Sequence, residues 1–419
     1  MSRRLALVIV VVLASAGTAQ AQYLLAPMDG EQSNHLRAYG LAYWVLGRGE
    51  RVEWLLNYRA GSFLLPDAAE VRREAALRGV SVEPVGASRL AAIRAEIDGS
   101  NMEAVVLEKA PRIAVYTPPG SQPWDDAVTL ALSYAGIEYE ELWDPEVLGG
   151  ELGRYDWLHL HHEDFTGQYS KFYLTYAGAA WLQEEVSRNR RVARAFGLPD
   201  SPSLKKAVAV KIREYVDGGG FLFAMCTATE TIDLALAALG VDIAASYADG
   251  DAVEVDASAR LNWESTFAFE GAAVFAEPAL SAFSDIDGHL VNTPMRQPLG
   301  TFRLFDFSAT IDPVATMLTQ NHERVIRDFY GLTTSYRRSH LKPSVTVLAE
   351  EPGAPWVKYL HGNHGDGTWT FLGGHDPEDP QHVIGDPPTD LDLYPHSPGY
   401  RLILNNVLFP AAKKRHLKT

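Results

Sequence analysis

The sequence predicts an α/β protein whose main body is a doubly wound, mostly parallel sheet, preceded by a smaller α/β unit. Short apolar stretches alternate with stretches of helical spacing from Tyr23 onward. The run Phe221-Leu222-Phe223-Ala224-Met225 is apolar without alternation, as in a strand buried on both faces. The 419 residues are 47% hydrophobic and 21% charged, an ordinary globular composition that excludes disorder and fibrous repeats. That length exceeds the roughly 250–300 residues at which one core stops growing, so more than one unit is expected.

Taken in order, Arg3-Arg4, the apolar run Leu5 to Ala14 and Ala19-Gln20-Ala21 have the charged, apolar and small-residue regions of a secretory signal over 1–21. The apolar run is shorter than the roughly 20 residues a membrane span needs, and no Cys follows it to carry a lipid. Export to the periplasm or the extracellular space is the expectation, with no membrane attachment once the signal is removed. The first unit, 22–109, reads as strand Tyr23–Met28, helix Gln32–Leu46, strand Val52–Leu56, helix Ala68–Arg78 and strand Val80–Pro84. Leu36, Tyr39, Tyr43 and Leu46 give the first helix its apolar face, and Gly47 and Gly49 end it.

A break at Glu108–Pro111 precedes the main body, 110–412. Its elements are strand Ile113–Tyr116, helix Trp124–Ala135, strands Ile137–Leu142 and Tyr155–Leu160, helix Leu204–Val216, and the buried strand after Gly218-Gly219-Gly220. Residues from about 244 to 350 lose the alternation and read as a mixed insertion, with turns at Asp249-Gly250, Asp287-Gly288 and Gln297-Pro298. Strands Val357–Leu360 and Thr368–Leu372 and a helix Tyr400–Leu408 close the chain before a basic tail, 413–419. His361–Gly367 has the Gly and Asn content of a hairpin turn.

The formal charge of −16 argues against nucleic acid and anionic lipid as partners. A single cysteine excludes an intramolecular disulfide, which leaves Cys226 to be explained alone. It ends the buried strand and precedes Thr227-Ala228-Thr229-Glu230, which has the form of a capping box opening a helix Thr231–Leu239. A thiol at such a turn is lifted out of the sheet, and a helix N-terminus favours the thiolate. The alternative is a buried structural thiol. His375 follows the strand Thr368–Leu372 through Gly373-Gly374, and Glu378 or Asp376 would orient its ring in a Cys-His-acid arrangement. A loop histidine satisfied by backbone is the alternative for His375.

Gly-Gly-Gly-Phe-Leu-Phe-Ala-Met-Cys at 218–226 and Phe-Leu-Gly-Gly-His-Asp-Pro-Glu at 371–378 resemble the class I glutamine amidotransferase-like superfamily, over roughly 110–410. The resemblance implies a flavodoxin-like domain with nucleophile Cys226, base His375, orienting acid Glu378, and backbone N–H groups that hold the oxyanion during attack on a carboxamide. Ala224 and Ala228, two residues before and after the Cys, stand where that family has flanking glycines, and the acid follows the His by three residues rather than two. The whole chain also resembles a group of exported bacterial proteins labelled asparagine synthetase B, through the segment Ala38 to Leu46, Leu55-Leu56-Asn57-Tyr58-Arg59 and Lys413-Lys414-Arg415. Position 2 is Ser and no Ser-Gly-Gly-x-Asp-Ser loop occurs, so the residues do not support that label.

Leu158-His159-Leu160-His161-His162-Glu163-Asp164 places three imidazoles and two acids at a strand end. Alternation puts His159 and His161 on one face, with His162, Glu163 and Asp164 at the carboxyl edge near Cys226. Substrate binding by His161, His162, Glu163 and Asp164 is one expectation. A divalent cation with His375, Asp376 and His382 in its shell is another, and plain loop structure a third. Phe165, Tyr169, Phe172, Tyr173, Tyr176 and Trp181 either pack in the core or line a cleft for a sugar or peptide. The expected activity is that of an exported thiol-dependent amidase or amidotransferase-like hydrolase, without a cofactor. The alternatives are a non-catalytic module binding a sugar, a peptide or another small molecule, and a metal-dependent hydrolase using His161, His162 and His375.

Overall fold

The computed structural model describes residues 22–412 except 121–124, 279, 281, 289–299, 320–323, 328, 330–332 and 380–383. The expected signal segment, the basic tail, the Gln297-Pro298 turn, Trp124 and His382 therefore lie outside the described residues.

Strands β1 (Tyr23–Ala26), β2 (Val52–Leu56), β3 (Ser62–Pro66), β4 (Glu83–Val85) and β5 (Glu103–Leu107) form one sheet in the order β4-β1-β3-β2-β5. Every pairing in it is antiparallel. The short link from Leu56 to Ser62 explains the β2–β3 pair, because a parallel neighbour needs a crossover of a dozen residues or more. One face carries the helix Ala87–Asp98, whose Ile93 and Ile97 pack on Leu25, Leu55 and Leu64. The other carries the helix His35–Gly47, which joins the core shared with the second sheet.

The second sheet contains β6 (Ile113–Tyr116), β7 (Glu140–Leu142), β8 (Trp157–Leu160), β9 (Phe221–Met225), β10 (Phe302–Leu304), β11 (Val325–Ile326), β12 (Tyr336–Arg337), β13 (Thr346–Glu350), β14 (Trp356–His364) and β15 (Gly367–Leu372). Its order is β11-β10-β13-β14-β15-β9-β8-β6-β7, with β12 on β14. The run β15-β9-β8-β6-β7 is parallel and the remaining pairings are antiparallel.

The fold is thus mixed α/β, and the expected mostly parallel sheet is corrected: among the described residues antiparallel pairings outnumber parallel ones. Two features account for this. The 244–350 region supplies β10 to β13, which extend the sheet beyond β14, and β14 and β15 meet through a tight turn, which admits only antiparallel pairing. His361 lies in that hairpin, buried, with Nδ1 at 3.1 Å from Thr370 Oγ1.

The parallel strands bury both faces. Ile113, Val115, Trp157, Phe221 and Phe223 face the helices Ala127–Ala135 and Pro398–Leu408. Ala114, Leu158, Leu160, Leu222 and Ala224 face the helices Ser201–Asp217 and Cys226–Ala237. Their carboxyl ends open on one edge, where the candidate site lies.

Candidate active site at the carboxyl edge of the parallel strands

The helix after β9 begins at Cys226 itself, not at Thr231. The expected capping box does not form: Met225 takes the N-cap position, and Thr227 and Glu230 are inside the first turns. Glu230 instead turns into the core, where Oε1 accepts from Ser284 Oγ at 2.5 Å and Oε2 from Thr333 Oγ1 at 3.0 Å. Burial first, and then the charge of Asp287, push its carboxyl up to about 8.

Cys226 is buried and has a left-handed backbone, φ 49°. A residue with a Cβ pays for that conformation, and such strain concentrates at functional turns. Its N–H donates to Gly374 O at 3.1 Å, and Ala228 N–H donates to His161 O at 2.9 Å. These two bonds tie the elbow to the ends of β15 and β8, so Cys226, His161 and His375 come together from three neighbouring strands. The thiol lies 3.6 Å from Thr227 Oγ1.

His375 Nδ1 is 2.5 Å from Asp376 Oδ2, and Nε2 is 3.1 Å from His162 Nδ1. The carboxylate on His375 is therefore that of the next residue. Glu378, the acid implied by the family resemblance, is half-buried, with a left-handed backbone at φ 66°.

His161 is fully buried, with Nδ1 3.2 Å from Asp126 Oδ1 and 3.4 Å from His159 Nε2. Asp126 Oδ2 lies 3.3 Å from His159 Nε2, and His159 Nδ1 lies 3.1 Å from Phe223 O. The Phe223 carbonyl can only accept, so His159 carries a proton on Nδ1. The Asp126 carboxylate oxygen likewise can only accept, which places a His161 proton on Nδ1. Burial opposes ionisation of Asp126, but the two imidazoles outweigh it and hold the carboxyl well below the usual carboxylate range.

The two acids after the histidines are drawn into the structure. Glu163 Oε2 accepts from the backbone N–H of His161 at 3.1 Å, and burial together with Asp126 pushes its carboxyl up to about 7. Asp164 accepts from the amides of Thr166, Gln168 and Ser170 and from the Thr166 hydroxyl, which folds the loop that follows. The aromatic residues Tyr169, Phe172, Tyr173, Tyr176 and Trp181 pack in a satellite cluster with Leu182 and Tyr247, while Phe165 belongs to the core with Leu158, Leu160 and Ala224.

No family model and no curated protein matches the chain. Among solved structures it is similar to Cytoplasmic Protein STM3548 from Salmonella typhimurium, with 13% identity over 73% of this chain and 100% of that one at a TM-score of 0.34. It is also similar to Cytoplasmic Protein STM1381 from Salmonella typhimurium LT2, with 11% identity over 72% of this chain and 100% of that one at 0.35. A third likeness is to Gan42B, a GH42 beta-galactosidase, with 9% identity over 64% of this chain and 28% of that one at 0.26.

Asp126 and Lys358 also belong to this edge. Asp126 is the N-cap of the helix Ala127–Ala135, with Oδ1 accepting from Val128 N–H at 2.7 Å and Thr129 N–H at 3.0 Å. An Asp before an apolar helix is visible as a cap, but its reach to two histidines is not. Lys358 is fully buried within β14, where Nζ donates to Phe329 O at 2.7 Å. Burial drives its pKa down to about 7 against the charges of Glu351, Asp287 and Cys226. A lone lysine inside the apolar run Val357–Leu360 was the available signal.

Proposed function

We propose that the protein is an exported hydrolase that cleaves an amide C–N bond through acyl transfer to Cys226. The observation that carries this reading is the left-handed Cys226 at the turn from β9 into its helix, hydrogen-bonded to the residue before His375. The parallel strands run β7-β6-β8-β9-β15, which is the order 2-1-3-4-5 counted along the chain, with helices on both faces. We read this part as a doubly wound, flavodoxin-like layer with its site at the carboxyl edge.

Asp376 on Nδ1 keeps the proton on that nitrogen and leaves Nε2 of His375 as the base. His375 takes the thiol proton as sulfur bonds to the amide carbon, then donates it to the nitrogen of the departing amine. Water, deprotonated by the same nitrogen, cleaves the thioester and releases the acid and the free thiol. Cys226 N–H and Ala228 N–H are already bonded to Gly374 and His161, so we assign the Thr227 N–H to the developing oxyanion.

The test is modification by iodoacetamide at neutral pH, followed by mass spectrometry. Cys226 in the folded protein should be alkylated, and His375→Ala should slow this at least about 10-fold. Alkylation that appears only after denaturation overturns the reading.

A further inference from the structure

We propose that His161, His162 and His375 form a site for a divalent transition-metal ion of the zinc class, and that an ion held there withdraws His375 from Cys226 and silences the thiol. The second half rests on the amide-hydrolysis reading, whereas the site itself rests on geometry.

One ligand atom from each ring lies within 4.8 Å of the others. The His162 Nδ1 to His375 Nε2 separation of 3.1 Å is close to the about 3.3 Å between ligands of a tetrahedral zinc ion with bonds of about 2.0–2.1 Å. His161 Nε2 is buried and has no hydrogen-bond partner. An unsatisfied buried polar atom costs about 1–3 kcal/mol, so this orphan itself points to a ligand.

The protonation pattern agrees. Asp126 lies on the opposite nitrogen of His161 and Asp376 on the opposite nitrogen of His375, so in the neutral rings the lone pairs of both inner nitrogens face the cluster, and an ion would displace the proton between His162 Nδ1 and His375 Nε2. A carboxylate behind an imidazole is the arrangement that orients metal-binding histidines and raises their basicity. Three imidazoles without a carboxylate in the first sphere favour zinc, cobalt, nickel or copper over magnesium or calcium. Three protein ligands leave a position open, and half-buried His162 marks the side from which an ion enters. His375 Nε2 has one lone pair, which cannot bind an ion and accept the Cys226 proton at once.

The experiment uses the full mature chain stripped with dipicolinate, titrated with cobalt(II) and followed by its visible absorption, with iodoacetamide labelling of Cys226 measured at each point. One equivalent should bind. His161→Ala should weaken binding by about 100-fold or more, and Asp126→Asn by roughly 10–100-fold. If buried His161→Ala fails to fold, His162→Ala carries the test with the same expected loss. Bound cobalt should slow labelling at least about 10-fold, an effect lost in the histidine variants. Absence of stoichiometric binding, or binding indifferent to these substitutions, overturns the site. Binding that leaves labelling unchanged overturns the silencing. A stripped protein that binds cobalt but never labels keeps the site and removes the hydrolysis reading.

Discussion

Two buried groups near Cys226 write opposite signatures into stability. Glu230 keeps its proton in the folded state up to about 8, against an ordinary 4.5. Between those pH values the unfolded chain has lost a proton that the folded one retains, so stability falls as pH rises through the window and levels off above it. Lys358 behaves inversely: its folded value of about 7 lies below its ordinary 10.5, so the burden of burying it is full below pH 7 and is relieved as pH rises toward 10. We expect urea unfolding to show the wild type losing ground to Glu230→Gln between pH 5 and 8, by up to about 1.4 kcal/mol per pH unit. We expect it to gain on Lys358→Met between pH 7 and 10. Parallel pH profiles for a variant and the wild type would refute the assignment for that residue. Lys358 stands in the sequence as a charge among apolar neighbours, yet its depth depends on the distant Phe302 and Phe329 that pack over its ammonium. The sequence offers both Asp376 and Glu378, and the fold brings Asp376 onto the ring.

At the scale of elements, β15 connects structure and site through its two ends. Gly365, at the hairpin end, has φ 56°, and a Cβ there would lie 2.6 Å from Asp217 Cα. Gly374, at the site end, has φ 93°, and a Cβ there would lie 2.5 Å from Phe329 O. Both therefore exclude a side chain by conformation and by contact with backbone. Gly365→Ala and Gly374→Ala should each destabilise by about 2–4 kcal/mol in urea titrations. Only Gly374→Ala should also alter the rate at which Cys226 is alkylated in the folded protein, because its carbonyl anchors the elbow. Equal effects of both on alkylation would mean that the elbow is not held locally.

Strand identity was legible where the run was apolar: β2, β6 and β9 have the expected bounds. The direction of pairing was not, because it follows from connection lengths and neighbours rather than from the strand's own residues. β3 and β5 lie outside the expected elements, and the Thr227-x-x-Glu230 pattern, which has the form of a local cap, points to a helix start later than Cys226. Burial had committed Glu230 to Ser284 and Thr333 instead.

Over the whole molecule, the two sheets share one apolar core in which the helices His35–Gly47, Ala127–Ala135 and Pro398–Leu408 meet. The polar contacts across it are equally shared. Tyr39 Oη donates to Asn405 Oδ1 at 2.5 Å, and the fully buried Arg401 donates to the carbonyls of Met28, Ala60 and Thr319. A break read near Glu108–Pro111 thus separates two sheets in sequence without giving each its own interior. Units that share an interior cannot lose it separately, so we expect the sheet of β1 to β5 and the sheet of β6 to β15 to unfold together. Arg401→Met should lower stability by about 2–4 kcal/mol, since it strands buried carbonyls on both sides, while the transition stays single. Hydrogen exchange followed by mass spectrometry along a urea series reads this directly. Protection in β1 to β3 and in β8, β9 and β15 should vanish at the same denaturant concentration in the wild type and at a common lower one in the variant. Loss of protection in β1 to β3 at clearly lower urea, with β9 still protected, would show that the N-terminal sheet is a separate cooperative unit and that the shared core contributes little to holding it.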